Sequence, residues 1–188
     1  MQNSLLVAST NRPTGALPAR ADGGKRDLAP SDPAVRALTD FASEYPLTVD
    51  ADLPIDDALA DMIRFGVRAL LATREDRESG EREIAGLITS YDIQGERPLQ
   101  FLQASNHRRH ADICVSHIMT PWDELSLLDY DALRSMTAAE LYEMFQGTGL
   151  THVLVVEMDG NPPALVRGIV SRAALTRRLR SIGATGRA

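Results

Sequence analysis

Apolar residues recur with a helical period in two widely separated stretches of this chain. Ala58, Leu59, Met62, Ile63 and Phe65 fall near one face of a helix over residues 57–66. Residues 139–145 repeat that period, with Thr137 placed to cap the first turn. An apolar, strand-like run follows each: residues 67–72, which include Arg68, and residues 153–156. A loop and a second strand come next, residues 84–89 in the first copy and residues 165–171 in the second. The first loop, residues 74–83, mixes charges of both signs and reads as a solvated hairpin tip. The second, residues 159–163, carries Gly160, Pro162 and Pro163 and reads as a turn. Extended segments precede both copies, at residues 46–49 and 125–128. Helices close them, at residues 98–105 and 172–180, and Pro98 suits the first turn of the former. Gly86 and Gly168 take the same place in the two copies, as do Met62 and Met144.

This is an internal repeat of a β-α-β-β-α unit, and it predicts an α/β (α+β) protein. One such unit buries little core, so two copies packed sheet against sheet, related by a pseudo-two-fold axis, make physical sense. The expected divisions are a disordered tail at 1–33, a first repeat at 42–106, a linker and second repeat at 107–182, and a short tail at 183–188. Asn11, Pro13, Gly15, Pro18, Gly23, Gly24, Pro30 and Pro33 interrupt every period in the first tail. Arg12 and Arg20 stand there without acids up to residue 21, but no amphipathic arginine stripe marks an organelle-targeting peptide.

Composition narrows the class. With 44% hydrophobic and 24% charged residues in 188, the chain reads as an ordinary globular protein. A single cysteine, Cys114, excludes an intramolecular disulfide, and a cytoplasmic setting is expected. The net charge of -6 argues against a nucleic-acid backbone or an anionic membrane as the main partner. No apolar stretch approaches the roughly 20 residues of a membrane span.

Residues 86–92 place a hydroxyl, Thr89, at the end of a strand with a carboxylate, Asp92, three positions on, where the chain turns toward a helix. A carboxylate can accept from both hydroxyls of a ribose while the threonine reaches a phosphate or sugar oxygen. Gly86 would let a second backbone or a flat base approach closely. The same spacing is that of a capping box satisfying a helix N-terminus, although Gly95 and Pro98 leave it only a short helix to serve. Both readings stand at this level.

The repeat resembles the CBS domain, the module named after cystathionine β-synthase, present as a tandem pair, or Bateman module, over about residues 42–182. Residues 65–71 look like the family's helix end and second strand. Residues 86–92 match its Gly-hydrophobic-hydrophobic-Thr/Ser-x-x-Asp nucleotide motif. In the second copy residues 118–121 are similar to the family's lead-in signature, residues 151–156 to its second strand, and residues 168–171 to the start of the motif. The resemblance implies a regulatory sensor of an adenosyl-containing ligand such as AMP, ADP, ATP or S-adenosylmethionine, with no cofactor required. It implies a homodimer and an unidentified regulated protein. By the same resemblance Asp92 would hold the ribose hydroxyls, Thr89 the ribose or phosphate, and Arg68 the phosphate, with His152 at the matching place in the second copy. The second motif ends in Ser171, Arg172, Ala173 and Ala174, without the carboxylate, so that site is expected to be degenerate around His152, Ser171 and Arg172. Residues 122–136 are longer than the family's usual lead-in, and Trp122 and Tyr130 there either close over a cleft or fill a seam.

Two rivals have other chemistry. A ligand-independent dimerisation or scaffold module would leave Thr89 and Asp92 purely structural. His107, His110, Cys114 and His117 would lie in one arc of a continuous helix and could hold zinc. The simpler reading of that stretch is a solvated linker with core-facing Ile113, Val115, Ile118 and Met119, and no metal site is expected. No Gly-x-Ser-x-Gly elbow, phosphate-binding loop or His-Glu-x-x-His occurs, and Cys114 has no identifiable base, so the chain is not expected to be an enzyme.

Overall fold

The computed structural model describes residues 27–76, 80–105, 109–157 and 165–184. It divides the chain into two compact units: residues 46–125, and residues up to 45 together with those from 126 onward. Each is built on one four-stranded sheet.

In the unit spanning 46–125, the first helical period becomes α1 (Ile55–Phe65), which buries Ile55, Ala58 and Met62 at helical spacing. Asp56 and Asp57 stand in its first turn, where negative charge meets the positive end of the helix dipole. Gly66, at φ 64°, ends the helix in the left-handed conformation that favours glycine. α1 is the crossover that parallel strands require, joining β2 (Thr48–Asp50) to β3 (Ala69–Glu75). β3 then pairs antiparallel with β4 (Arg82–Thr89). The ladder runs further into the charged stretch than expected, because Arg74 pairs with Glu83 and Glu75 with Arg82. Opposite charges across strands support such pairing. Next come α2 (Ser90–Gln94) and, past Gly95, α3 (Arg97–Ala104), with Pro98 in its first turn. The core of this unit gathers Met62, Leu70, Ile88, Ile113 and Val115.

The other unit repeats the order with β6 (Leu127–Asp129), α6 (Ala138–Thr148), β7 (His152–Glu157), β8 (Leu165–Ser171) and α7 (Arg172–Ala184). The mixed α/β class and the duplicated element order are those expected. Thr137 caps α6 in a reciprocal box with Glu140. The extra length before this helix is one added element, α5 (Tyr130–Ser135), capped by Asp129. Tyr130 lies under the Arg167 guanidinium, 5.1 Å from it. Phe145, Leu141, Val155 and Leu175 anchor the core.

The fourth strand of each sheet departs from the expected divisions. α4 (Val115–Ile118) leads into β5 (Thr120–Pro121), which pairs with β4, so the lead-in signature at 118–121 completes the sheet of the first repeat, not of the second. The second repeat takes its edge from β1 (Thr39–Asp40), paired with β8. Arg167 on β8 holds that edge, reaching Asp40 at 3.2 Å on one side and Glu157 on β7 at 3.3 Å on the other. Within the expected disordered tail, residues 27–33 are ordered: Leu28 is fully buried and Pro33 bridges Thr137. Residues 1–26, the turn at 159–163 and most of the tail at 183–188 lie outside the described residues.

Candidate functional site

β4 ends at Thr89, whose extended backbone turns the chain into α2. The Thr89 N–H donates to Asp92 Oδ2 at 2.8 Å and its hydroxyl to the same oxygen at 2.6 Å. Asp92 N–H donates back to the Thr89 hydroxyl at 3.3 Å, completing a capping box. The structure therefore brings Thr89 and Asp92 together, with Asp92 largely covered and Thr89 buried. Asp92 Oδ1 faces a residue that sequence reasoning missed, Arg97, at 3.2 Å. The same guanidinium nitrogen donates to the Ile118 carbonyl at 2.7 Å and to the Thr120 hydroxyl at 3.3 Å. Arg97 thus ties the carboxylate to the strand that edges the sheet. Its only sequence signal is a basic residue shortly after the motif.

Gly86 serves backbone approach. It lies opposite Pro121, and a Cβ there would overlap the Thr120 carbonyl oxygen. Gly168 does the same against Thr39, so the two glycines do occupy one place in the two copies. Arg68 is not directed at Asp92. It donates to the Tyr91 hydroxyl at 3.3 Å. Both line an open groove of about 390 Å³ between α1 and α2, with Leu59, Met62, Ile63 and Val67.

The second motif is assembled differently. Ser171 Oγ accepts from Ala174 N–H at 3.5 Å, and Ala174 stands where Asp92 stands in the first copy. Arg172 donates to the Gly149 carbonyl at 3.4 Å. The strand registers correct the expected match of His152 with Arg68. Ala69 pairs with Thr89 and His152 with Ser171, so His152 corresponds to Ala69 and Thr151 to Arg68. The Thr151 hydroxyl lies 3.1 Å from His152 Nδ1. The helix ends correct a second match: counted back from the left-handed caps Gly66 and Gly149, Met62 corresponds to Phe145 rather than Met144. Both are buried.

The histidine and cysteine stretch does not form the continuous helix a shared ligand arc needs. His110–Asp112 is a tight turn separated from α4 by Ile113 and Cys114. His110 lies 3.5 Å from Asp56. His117 Nδ1 accepts from the Cys114 N–H at 3.0 Å, and its ring stacks on Phe101 at 4.4 Å. Among the described residues no three His, Cys, Asp or Glu side chains are grouped to hold a metal ion, and His107 lies outside them. Among those residues, too, no helix is long and apolar enough to cross a membrane.

With this geometry in place, residues 38–97, which hold β1 through Asp92, match the CBS domain family. None of the curated proteins matches. Solved structures share the fold. An uncharacterized conserved protein from Pyrococcus horikoshii superposes with a TM-score of 0.52 at 19% identity, covering 86% of this chain and 97% of that one. CBSX2 in complex with AMP, a CBS-pair protein known from Arabidopsis thaliana, gives 0.51 at 19%, covering 81% and 98%. The CBS domain of a bacterial CNNM/CorC family Mg2+ transporter in complex with ATP gives 0.51 at 14%, covering 80% and 89%. Residues 38–97 thus form a CBS domain by family match, and the two sheets of the chain with their helices fit the fold of a CBS pair.

Proposed function

We propose that this protein is a regulatory module in which Asp92 and Thr89 hold the ribose of an adenosyl-containing ligand, and which signals occupancy to a partner protein. The observation that carries the reading is the meeting of a hydroxyl and a largely covered carboxylate at the strand-to-helix turn of the matched domain. Structures of the same fold bound to AMP and to ATP support the ligand class. The second motif, with Ala174 and no carboxylate, is the weaker or empty site. Homodimerisation belongs to the same reading: Ile63, 74% exposed, and Tyr91, 49% exposed, offer apolar surface that a second copy would cover.

The test is thermal unfolding against AMP, ADP, ATP and S-adenosylmethionine. Ligand at 100 times its dissociation constant stabilises by about 2.7 kcal/mol, or several degrees at about 2–4 °C per kcal/mol for a chain of this size. Asp92→Ala should abolish the ligand shift. It should also lower the unliganded stability by about 1 kcal/mol through the lost cap, so the shift is the readout, not the baseline.

One observation favours a second reading, the ligand-independent scaffold. The capping box and Arg97 already give both Thr89 and Asp92 structural partners. A flat response to every nucleotide would select it.

A further inference from the structure

Asp92 meets any ligand with one oxygen filled and the other ion-paired. Oδ2 takes the N–H and the O–H of Thr89, and the Arg97 guanidinium is ion-paired to Oδ1 at 3.2 Å. A carboxylate offers about four lone-pair sites; the two on Oδ2 are filled, so a ribose diol brings its two O–H donors to an Oδ1 that Arg97 already faces. Seating both hydroxyls on Oδ1 sets them in competition with a group already held at the carboxylate. Thr89 is 6% exposed, and one of its two donors is its own backbone N–H. The Arg97 side chain is 45% exposed, and its nitrogen already has the Ile118 carbonyl and the Thr120 hydroxyl as alternative acceptors. Arg97 is the group that yields.

We propose that Arg97 is a specificity-setting residue of this site: a ribose diol displaces it from Asp92 Oδ1, and it then rests on the Ile118 carbonyl and Thr120 hydroxyl alone. The inference builds on the Asp92–ribose reading and adds two consequences. A ligand with one sugar hydroxyl fits on Oδ1 beside Arg97 without displacing it, so Arg97 narrows the advantage of ribose over deoxyribose. Each binding event also changes what holds β5 against the sheet, which gives occupancy a route to the edge strand.

The other unit contains a comparable clamp with a different residue at the motif position. Arg178 on α7 donates to the Arg36 carbonyl at 2.7 Å, as Arg97 does to Ile118, but Ala174 replaces the carboxylate. The Asp92 contact is an addition confined to the copy with the complete motif.

The test is calorimetric titration of the full-length protein, and of Arg97→Met and Arg97→Gln, with adenosine and with 2′-deoxyadenosine. Both variants should bind adenosine about threefold to fivefold more tightly, the scale of one partly exposed ion pair, and 2′-deoxyadenosine within about twofold of the parent protein. Glutamine keeps a donor for the Ile118 carbonyl, so it carries the comparison if the methionine variant loses its cooperative melt. Unchanged or weaker adenosine binding in the variants, with the parent protein binding normally, overturns the role of Arg97 and leaves the ribose reading intact. Absence of binding by all three proteins overturns the ribose reading and this inference with it.

Discussion

The Arg178 guanidinium donates a 2.7 Å hydrogen bond to the Arg36 carbonyl, while the Arg178 carbonyl accepts from the Leu28 N–H at 3.2 Å. Helix α7 thus holds the N-terminal segment by both a side chain and its backbone. Burial pulls the Arg178 pKa below the ordinary arginine value, and the Arg36 charge adds to that, against Asp32 and Asp27. Removing the guanidinium withdraws a charged donor from the Arg36 carbonyl, and such hydrogen bonds contribute about 1.5–3 kcal/mol. Arg178→Met should therefore shift the urea midpoint by a free energy in that range. Leu28→Ala, which empties a fully buried site, should cost about 2–5 kcal/mol.

Gly86→Ala and Gly168→Ala drive a methyl into the Thr120 and Thr39 carbonyl oxygens, and backbone cannot step aside as a side chain can. Overpacking of this kind costs about 1–3 kcal/mol. Gly147→Ala, within α6 and with open space at its Cβ, is the control and should be neutral or stabilising by up to about 1 kcal/mol. Equilibrium unfolding of the three variants separates these outcomes.

Hydrogen bonds from the Thr137 backbone and then its hydroxyl hold the Glu140 carboxyl below the usual glutamate range. A folded-state pKa depressed in this way stabilises the protein above the unfolded value, and the benefit disappears as pH falls through the folded one. Glu140→Gln retains the box geometry without the charge. The variant should melt below the parent protein at neutral pH, and the gap should close in acid; a gap constant with pH would contradict this origin.

Burial, and next the nearby Asp52 charge, raise the Cys114 thiol above its ordinary pKa. The thiolate is the reactive form. Cys114 should therefore react more slowly with iodoacetamide at neutral pH than free cysteine, and its rate should climb over a more alkaline range.

The helices and hairpins were readable because each carries many residues of one period. Ile55, Ala58 and Met62 repeat one face three times, and β7 is buried through four successive residues. β1 and β5 were not readable as sheet edges, since two residues contain no alternation and their partners lie far off in sequence. The same distance concealed Arg97, whose bond to Ile118 spans 21 positions. Thr89 and Asp92 were visible as a pair, because their box is local, but local spacing serves a cap and a ribose equally well. The His152 match slipped by one residue because motif alignment alone does not set strand register; the β-ladder does.

The borrowed edge strands bear on how this chain can be cut. A fragment trimmed to residues 42–182, the span of the repeats as motifs, would lose β1 and Leu28 together. β8 would then present a row of unpaired amides beside a glycine with no side chain to block approach. Open strand edges template pairing with other chains. Such a fragment should be prone to aggregate through β8, even with every residue of both nucleotide motifs still in place.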